Sequence, residues 1–255
     1  MLKVGLIGYG KMGHMLKNLS NEFNIEVVSI IDPTNKEANY REINKKSVAD
    51  CEVLIDFSTP KGVINNIKKA IDNDIPIVVG TTGWLSSLNE IIEYVELNNG
   101  ALIYGSNFSI GVNMLFQIIN FSSNLFNKIS GYDVAGSEIH HRMKKDIPSG
   151  TGKTLAEIII NNYDSKEKIV YQPGNREIKK DELHFTSLRL GEIPGLHEVT
   201  FDSKEDQLLI KHNAKGREGF AKGALMAAKY IYDKKGVIDF VSDFSEIIEE
   251  ANNEN

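Results

Sequence analysis

The sequence predicts an α/β protein in which a doubly wound parallel sheet is joined to a second, α+β domain with a mostly antiparallel sheet. Three observations predict this fold class. Short apolar runs alternate with amphipathic runs over the first hundred residues, this rhythm changes after about residue 108, and three strand-like runs follow one another between residues 183 and 213. A chain of 255 residues is long enough for one large or two modest domains.

The first part of the chain alternates predicted strands with predicted helices. Each strand candidate is short, continuous and rich in β-branched residues, which is typical of strands that are buried on both faces. Because such repeats form parallel sheets, ligands are expected at the carboxyl ends of the strands. The predicted strands are Leu2–Ile7, Ile25–Ile31, Val53–Asp56, Ile75–Val79 and Leu102–Tyr104, and the predicted helices are Met12–Leu19, Val63–Ile71 and Leu85–Leu97.

The second part has a different order of elements. Runs of strands without intervening helices predict a separate antiparallel sheet. Predicted strands cover residues 132–141, 183–190, 196–202 and 207–213, predicted helices cover 113–125, 149–161 and 218–232, and residues 163–182 are predicted to form a surface loop. The acidic, Asn-rich residues 249–255 are expected to fray.

Composition excludes several classes of partner. The net charge of −6 disfavours nucleic acid and anionic membrane, because both require a basic footprint. The single cysteine, Cys51, cannot form an internal disulfide, which fits a reducing compartment. We find no signal-peptide pattern and no apolar run long enough to span a membrane, and we therefore expect a cytoplasmic protein.

A glycine-rich loop follows the first predicted strand and begins the first predicted helix. It has the spacing GxGxxG, and Asp32 ends the second predicted strand 19 residues after the last glycine. Strand, glycines, helix, strand and acid in this order predict a Rossmann-type dinucleotide site, although a glycine turn that merely connects two elements is the alternative. The loop consists of Gly8, Tyr9, Gly10, Lys11, Met12 and Gly13.

Cofactor preference is left open between NADH and NADPH, with NADH slightly favoured. Asp32 would repel the 2′-phosphate of NADPH, whereas the nearby Lys36 could attract it. Two further segments follow strands and should face the nicotinamide half of the ligand, although ordinary turn chemistry explains them equally well. These segments are Gly80, Thr81 and Thr82, and Gly105, Ser106, Asn107 and Phe108.

The stretch from Glu138 to Thr151 is the densest polar segment of the chain. His140 and His141 are adjacent on a predicted strand and should point to opposite sides, so we predict no metal site here. A histidine can exchange a proton near neutral pH, and a solvated basic turn is an equally good reading. Ser149 begins a predicted helix whose first amides could bind a carboxylate.

The Gly152-Lys153-Thr154 sequence is similar to the end of an ATP-binding P-loop. The glycine that a P-loop requires five residues before Gly152 is replaced by Ile147, and no strand leads directly into the segment. We therefore reject ATP binding at this position.

The glycine loop and the segment from Glu138 to Thr151 resemble motifs of a known family, the bacterial 4-hydroxy-tetrahydrodipicolinate (dihydrodipicolinate) reductases. The resemblance runs from Val4 to about Ile231 and is most specific at EIHHRMKKDIPSGT, residues 138–151. The other matching motifs are GYGKMG at 8–13, DFSTP at 56–60, VVGTTG at 78–83, SNFSIGVNML at 106–115 and IPGLHEV at 193–199.

The resemblance implies reduction of a cyclic dicarboxylate with NAD(P)H in diaminopimelate and lysine biosynthesis. It makes His140 the general acid, Lys144 its partner, and His141, Gly150 and Thr151 the substrate contacts. It assigns the dinucleotide to residues 8–13, Asp32, 80–82 and 105–108. It further implies a dinucleotide-binding domain of residues 1–108 and 218–255, a substrate-binding and oligomerisation domain of residues 109–217, and a homotetramer.

Two departures from the family pattern stand out, at Met143 and Tyr9. Met143 replaces a third histidine of many members, and Tyr9 replaces a small residue of the glycine loop. Two other functions stay open from the residues alone: a reductase or dehydrogenase of a linear amino-acid aldehyde or imine, and a regulator that binds NADH without turnover.

Overall fold

The computed structural model describes residues 1–253, and its strands form two separate sheets. The first sheet has six parallel strands in the order β11-β5-β4-β3-β1-β2. This arrangement confirms the predicted parallel α/β sheet. The strands are β1 (Leu2–Ile7), β2 (Ile25–Ile31), β3 (Val53–Asp56), β4 (Ile77–Val79), β5 (Ala101–Tyr104) and β11 (Gly236–Asp239).

Helices cover the first sheet because their apolar residues recur at helical spacing. In α2 (Val63–Ile71), for example, Val63, Ile67 and Ala70 are fully buried, while Lys68 and Lys69 lie in the last turn and are not buried. Strands β3 and β4 are buried on both faces, as their continuous apolar sequences predict. The remaining helices of this part are α1 (Lys11–Leu19), α3 (Leu88–Leu97), α6 (Glu218–Ile231) and α7 (Phe244–Asn253).

The second sheet has five strands in the order β10-β9-β6-β8-β7. β9 pairs antiparallel with both of its neighbours and β8 pairs parallel with both of its own, and most of the residue pairs in register are antiparallel. The predicted α+β character of this region is confirmed. The strands are β6 (Asp133–His140), β7 (Lys168–Val170), β8 (Glu182–Arg189), β9 (Leu196–Asp202) and β10 (Gln207–Asn213), and the helices are α4 (Ile110–Phe126) and α5 (Gly150–Asn162).

The structure corrects the sequence-based assignment at three short elements. β7 lies inside the predicted surface loop, and β11 and α7 lie in a segment where no element was predicted. β7 and β11 are edge strands of three and four residues, too short for a periodic pattern to identify. Residues 249–253 are helical rather than frayed, and the rest of that predicted frayed end lies outside the described residues.

The chain divides into two compact units, Met1–Ile110 with Arg217–Asn255, and Gly111–Gly216. The first unit contains the parallel sheet and the second contains the mixed sheet. Across residues 1–253, none of the helices combines the length and apolar character that crossing a membrane requires.

Candidate active site

The glycine loop of the first unit is shaped by two different demands on its glycines. Gly8 has a φ of +87°, and a Cβ built on it would lie 2.5 Å from the carbonyl oxygen of Phe57. Gly13 is equally constrained, because its Cβ would lie 2.5 Å from the carbonyl oxygen of Gly8. Gly10 is different, since nothing lies within 4 Å of the position that its Cβ would take. Two glycines therefore close the turn, and the third leaves open space in front of it.

The first turn of α1 is open to an anion. The helix begins after Gly10, and no side chain of the described residues caps its N-terminus. Uncapped amides at a helix start form a binding place for phosphate oxygens, and the open space at Gly10 lets a pyrophosphate approach the backbone. The loop therefore fits the pyrophosphate of a dinucleotide.

Asp32 lies at the end of β2 beside this loop. One oxygen of its carboxylate accepts a hydrogen bond of 2.9 Å from the Tyr9 amide, and the other accepts the amides of Thr34 and Asn35 at 2.8 Å. Burial acts to raise the pKa of Asp32, but these hydrogen bonds outweigh it and lower the pKa to about 2. The carboxylate is therefore charged at neutral pH, as recognition of ribose hydroxyls requires.

A cation that the sequence analysis missed lies at the same end of β2. The guanidinium of Arg41 donates hydrogen bonds to the backbone oxygens of Asp32 and Asn35, at 3.1 and 2.5 Å. Lys36, the cation predicted from the sequence, is exposed in the same loop. The loop after β2 thus carries both the acidic group that would repel the 2′-phosphate of NADPH and basic groups that could attract it.

A groove joins the glycine loop to the ends of β3 and β4. Its lining includes Gly10, Lys11 and Met12 together with Gly80, Thr81 and Thr82. The structure thus brings together two of the three segments that were predicted to bind the dinucleotide.

The buried carboxylate of Asp56 holds the β3 and β4 ends of this groove in place. It accepts hydrogen bonds from the Thr81 hydroxyl at 2.6 Å, the Ser58 amide at 2.9 Å and the Asn66 amide group at 2.8 Å. Burial raises the pKa of Asp56 despite these hydrogen bonds. Asp56 was not among the predicted site residues, although its position at the end of a buried strand was a signal.

The third predicted segment, residues 105–108, does not line this groove. Phe108 is buried in the core, with its ring centroid 4.5 Å from that of Phe240, so its ring is not available to a ligand. The Tyr9 ring is also buried, and its centroid lies 4.1 Å from the centroid of the His14 ring. The departure at Tyr9 therefore affects the packing beneath the loop, because the side chain does not face the groove.

The predicted proton donor lies on the covered face of the second sheet. Alternate residues of β6 are buried, including Glu138 and His140, and α5 packs against β6 and β8. The antiparallel register places His197 of β9 directly opposite Glu138, and the parallel register places Arg189 of β8 opposite His140. The sheet thus assembles four polar side chains from three strands on one face.

Glu138 is the centre of this group and is fully buried. Its carboxylate accepts hydrogen bonds from the Ser149 amide, at 2.9 Å, and from the Ser149 hydroxyl. Arg189 lies 3.4 Å from one carboxylate oxygen, and Nε2 of His197 lies 3.6 Å from the other. Burial would raise the pKa of Glu138, but the hydrogen bonds from His197 and Ser149 hold it well below its usual range.

His140 is nearly buried, and its Nδ1 lies 3.8 Å from the Glu138 carboxylate. Burial lowers the pKa of His140 to about 4. The charge of Glu138 opposes this shift, whereas His197, Lys144 and Arg189 act in the same direction as burial. The ring is therefore neutral at pH 7 in the ligand-free protein. A negatively charged ligand beside it would favour the protonated form.

The other predicted residues lie close to the same strand end. Lys144 forms an ion pair of 2.9 Å with Asp146, and the His141 amide donates to the carbonyl oxygen of Ile193 at 2.8 Å. Gly150 and Thr151 are the first two residues of α5, directly after its cap, Ser149. The cap hydroxyl accepts a hydrogen bond of 3.0 Å from the Gly152 amide, which confirms Ser149 as the N-cap.

The donor atoms of Glu138, His140 and His197 lie within 4.8 Å of one another, a spacing that a metal ion could use. The Glu138 oxygens are already engaged by Ser149 and by the Arg189 guanidinium, and a guanidinium beside the carboxylate disfavours a second cation. We assign no metal to this cluster. The absence of a metal site stays a prediction.

Three members of the cluster were missed as site residues: Glu138, Arg189 and His197. The alternation of strand residues gave a signal for Glu138, because it lies two positions before His140 and must share its face. His197 and Arg189 carried no such signal, since they are separated from Glu138 by more than 50 residues and are brought together by strand register.

A parallel sheet with an uncapped glycine loop, together with a second unit that holds a buried histidine–carboxylate cluster, defines a dinucleotide-dependent oxidoreductase of the Rossmann type. Sequence models for the N-terminus and C-terminus of dihydrodipicolinate reductase match residues 2–108 and 111–243. The chain belongs to the dihydrodipicolinate reductase family.

Individual relatives support this assignment over nearly the whole chain. The 4-hydroxy-tetrahydrodipicolinate reductase of Christiangramia forsetii is 38% identical over 247 residues, which cover 95% of this chain and 98% of the relative. That of Methanocaldococcus jannaschii is 32% identical and covers 92% of this chain and 94% of the relative. The resemblance stated from the sequence is confirmed.

Solved structures confirm the fold. Dipicolinate-bound dihydrodipicolinate reductase from Paenisporosarcina sp. TG-14 has a TM-score of 0.78 at 22% identity, covering 95% of this chain and 99% of that chain. An amine dehydrogenase from Mycobacterium smegmatis has a TM-score of 0.62 at 9% identity, covering 94% and 95%. The two-unit architecture is thus shared with dehydrogenases of other substrates.

Proposed function

We propose that the protein reduces 4-hydroxy-tetrahydrodipicolinate, via dihydrodipicolinate, to tetrahydrodipicolinate with NAD(P)H, a step of diaminopimelate and lysine biosynthesis. Relatives with this name match nearly the full chain. One observation carries the proposal: His140 and the capped start of α5 both lie beside the buried carboxylate of Glu138. Reduction of a cyclic dicarboxylate needs a proton donor beside a binding place for carboxylate, and this cluster provides both.

The dinucleotide is assigned to the first unit. Residues 8–13 and the start of α1 bind its pyrophosphate, Asp32 its adenosine ribose, and residues 80–82 and the backbone of 105–108 its nicotinamide half. When bound, the cofactor supplies a hydride. NADH is slightly favoured because the charged Asp32 repels a 2′-phosphate, while Lys36 and Arg41 keep NADPH as a usable alternative.

The second unit binds the substrate and donates the proton. The amides of Gly150 and Thr151 bind a substrate carboxylate, His141 contacts the substrate, and Lys144 compensates negative charge. His140 gains its proton as the dianionic substrate binds, because nearby negative charge raises the pKa of a histidine. It then donates this proton to the reduced ring, so that hydride and proton together add two hydrogen atoms across the unsaturated bond.

We also propose a homotetramer in the cytoplasm. On the face of the second sheet opposite His140, the register aligns Leu188, Ile139 and Leu196 in one row, and Leu188 is 53% exposed. Apolar side chains on an open sheet face are typical of a surface that another subunit covers. The single cysteine, Cys51, fits a reducing compartment.

The proposed reaction is tested by following oxidation of NADH and NADPH with freshly condensed pyruvate and aspartate semialdehyde as the substrate. His140→Gln should lower kcat by about 10²- to 10⁴-fold, the usual contribution of a positioned acid, while NADH affinity stays unchanged. His184→Gln is the matched control. His184 lies in the neighbouring strand β8, and the alternation of strand residues places its side chain on the opposite face of the sheet from Glu138.

Each other outcome contradicts part of the proposal. Turnover of a linear amino-acid aldehyde or imine, with none of the cyclic substrate, would establish the first alternative function. Tight NADH binding without any turnover would establish the regulatory one. Full activity in His140→Gln would show that His140 is not the proton donor, but it would not contradict the proposed reaction.

A further inference from the structure

Glu138 lies at the centre of the cluster around His140, but the proposed reaction gives it no role. It lies in the central strand β6 with no exposed surface, so its charge is held entirely by its neighbours. A buried carboxylate is costly unless hydrogen bonds and opposite charges compensate it. The arrangement of these compensating groups indicates what the carboxylate does.

On one side, Glu138 holds the start of α5. Ser149 donates both its amide and its hydroxyl to the carboxylate, and the Ser149 hydroxyl in turn accepts the amide of Gly152. The first turn of the helix lies against the carboxylate so closely that a Cβ on Gly152 would be 2.7 Å from Oε2. The amides of the proposed carboxylate-binding turn are therefore fixed by this one side chain.

On the other side, Glu138 faces the ring of His140. Nδ1 of His140 has no hydrogen-bond partner within the described residues, and the carboxylate is its nearest anionic neighbour at 3.8 Å. The opposite ring nitrogen, Nε2, points toward Gly195, where a Cβ would lie 3.1 Å away. Because Gly195 has no side chain, no Cβ covers this nitrogen, and we take Nε2 as the atom that faces the ligand.

Titratable and charged groups surround the pair formed by Glu138 and His140. His140 is faced by Glu138 from its own strand, His197 from β9, Arg189 from β8 and Lys144 from the segment that follows β6. Helix α5 contributes the Ser149 hydroxyl. Glu138 is the acidic member of this group, and it alone favours a proton on the ring.

We propose that Glu138 is the positioning residue of the site: one buried carboxylate orients His140 with Nε2 toward the substrate and simultaneously fixes the start of α5 that binds the substrate carboxylate. This inference rests on the proposed function. It goes beyond it by coupling proton donation and carboxylate binding through a residue that touches neither substrate nor cofactor.

Two variants separate the two roles of Glu138. Glu138→Gln removes the charge that faces His140, whereas Ser149→Ala removes the hydroxyl that joins Glu138 to the Gly152 amide and leaves the charge and the Ser149 amide in place. Glu182→Gln is the matched control, because Glu182 is also buried in the second unit and pairs with Arg176. The NMR titration of the His140 ring and the affinity for dipicolinate are measured on the ligand-free full-length protein, and the pH profile of kcat on the active enzyme.

In Glu138→Gln we expect the His140 titration and the falling limb of kcat to move to lower pH, since the carboxylate charge stabilises the protonated ring. Dipicolinate affinity should fall about fivefold or more in both variants, because both loosen the first turn of α5. In Ser149→Ala the His140 titration should change less than in Glu138→Gln. The control should match the wild type in every measurement.

The inference is overturned if a folded Glu138→Gln protein keeps the wild-type titration of His140, or if Glu182→Gln shifts it equally. It is also overturned if Ser149→Ala binds dipicolinate as tightly as the wild type does. The titration requires no turnover, so it decides the role of Glu138 toward His140 even if the wild-type protein proves to reduce a different substrate.

Discussion

The carboxylate of Glu138 lies 3.8 Å from Nδ1 of His140, two residues further along the same strand. Because side chains alternate in a strand, these two residues must share a face, and the sheet buries that face beneath α5. The result is a neutral histidine held beside a charged carboxylate. Burial, which lowers the pKa of His140, and the Glu138 charge, which raises it, together determine the acid behaviour of this histidine.

Acid should destabilise the protein through His140. Its pKa is about 4 in the folded state against an ordinary value of 6.5, so the unfolded chain binds a proton more readily. This contribution to stability is complete above pH 6.5 and is lost as the pH falls toward 4. Glu138, whose pKa is lowered, loses its own contribution only below its ordinary value of 4.5.

Melting curves across this pH window test the expectation. His140→Gln cannot titrate there, so its melting temperature should depend less steeply on pH than that of the wild type. Each 1 kcal/mol corresponds to about 2 to 4 °C for a domain of 150 to 250 residues. Parallel curves for the two proteins would show that His140 is solvated rather than buried. His212, whose pKa burial also lowers, accounts for part of the slope that remains.

Gly195→Ala should slow catalysis without unfolding the protein. The new Cβ would lie 3.1 Å from Nε2 of His140, which forces the ring to shift by a few tenths of an ångström. Displacement of a proton donor by up to 1 Å can cost as much as about a hundredfold in rate. Gly216→Ala is the control, because nothing lies within 4 Å of its Cβ position. A wild-type kcat in Gly195→Ala would place the reactive side of the ring elsewhere.

Gly10→Ala should weaken cofactor binding and leave stability unchanged. Its Cβ position is empty, so the fold accepts the methyl group, but the methyl group would occupy the space that we propose for the approaching pyrophosphate. Loss of one hydrogen bond to a charged phosphate, about 1.5 to 3 kcal/mol, corresponds to about tenfold or more in the dissociation constant of NADH. Gly13→Ala, by contrast, should lower the melting temperature because its Cβ would overlap the Gly8 carbonyl. Equal effects of the two variants on stability would contradict this division.

Asp32→Asn should shift the preference toward NADPH. The Asp32 carboxylate is charged at neutral pH, and one unit charge at 4 Å in water contributes about 1 kcal/mol, or roughly fivefold in affinity. Comparing the KM values for NADPH and NADH in wild type and variant measures the shift. Arg41→Ala should act in the opposite direction, because it removes a cation held at the same loop. An unchanged ratio in both variants would mean that the 2′ position faces neither group.

Much of the parallel sheet was predictable because local pattern determines it. β1, β2 and β3 begin and end at the predicted residues, since each is a short run in which apolar residues predominate. α2 was predicted with the same accuracy from its helical spacing. β7 and β11 were not, because strands of three and four residues at a sheet edge depend on their neighbours more than on their own sequence.

The sequence by itself determined the order of most strands and helices, the glycine loop with Asp32, and the identity of His140 as a candidate acid. The tertiary structure decided which residues surround that acid. His197 and Arg189 reach Glu138 through strand register, and Ser149 reaches it through the start of α5. Local patterns carry information over a few residues, whereas Arg189 and His197 lie more than 50 residues from Glu138 along the chain, and only the folded sheet brings them together.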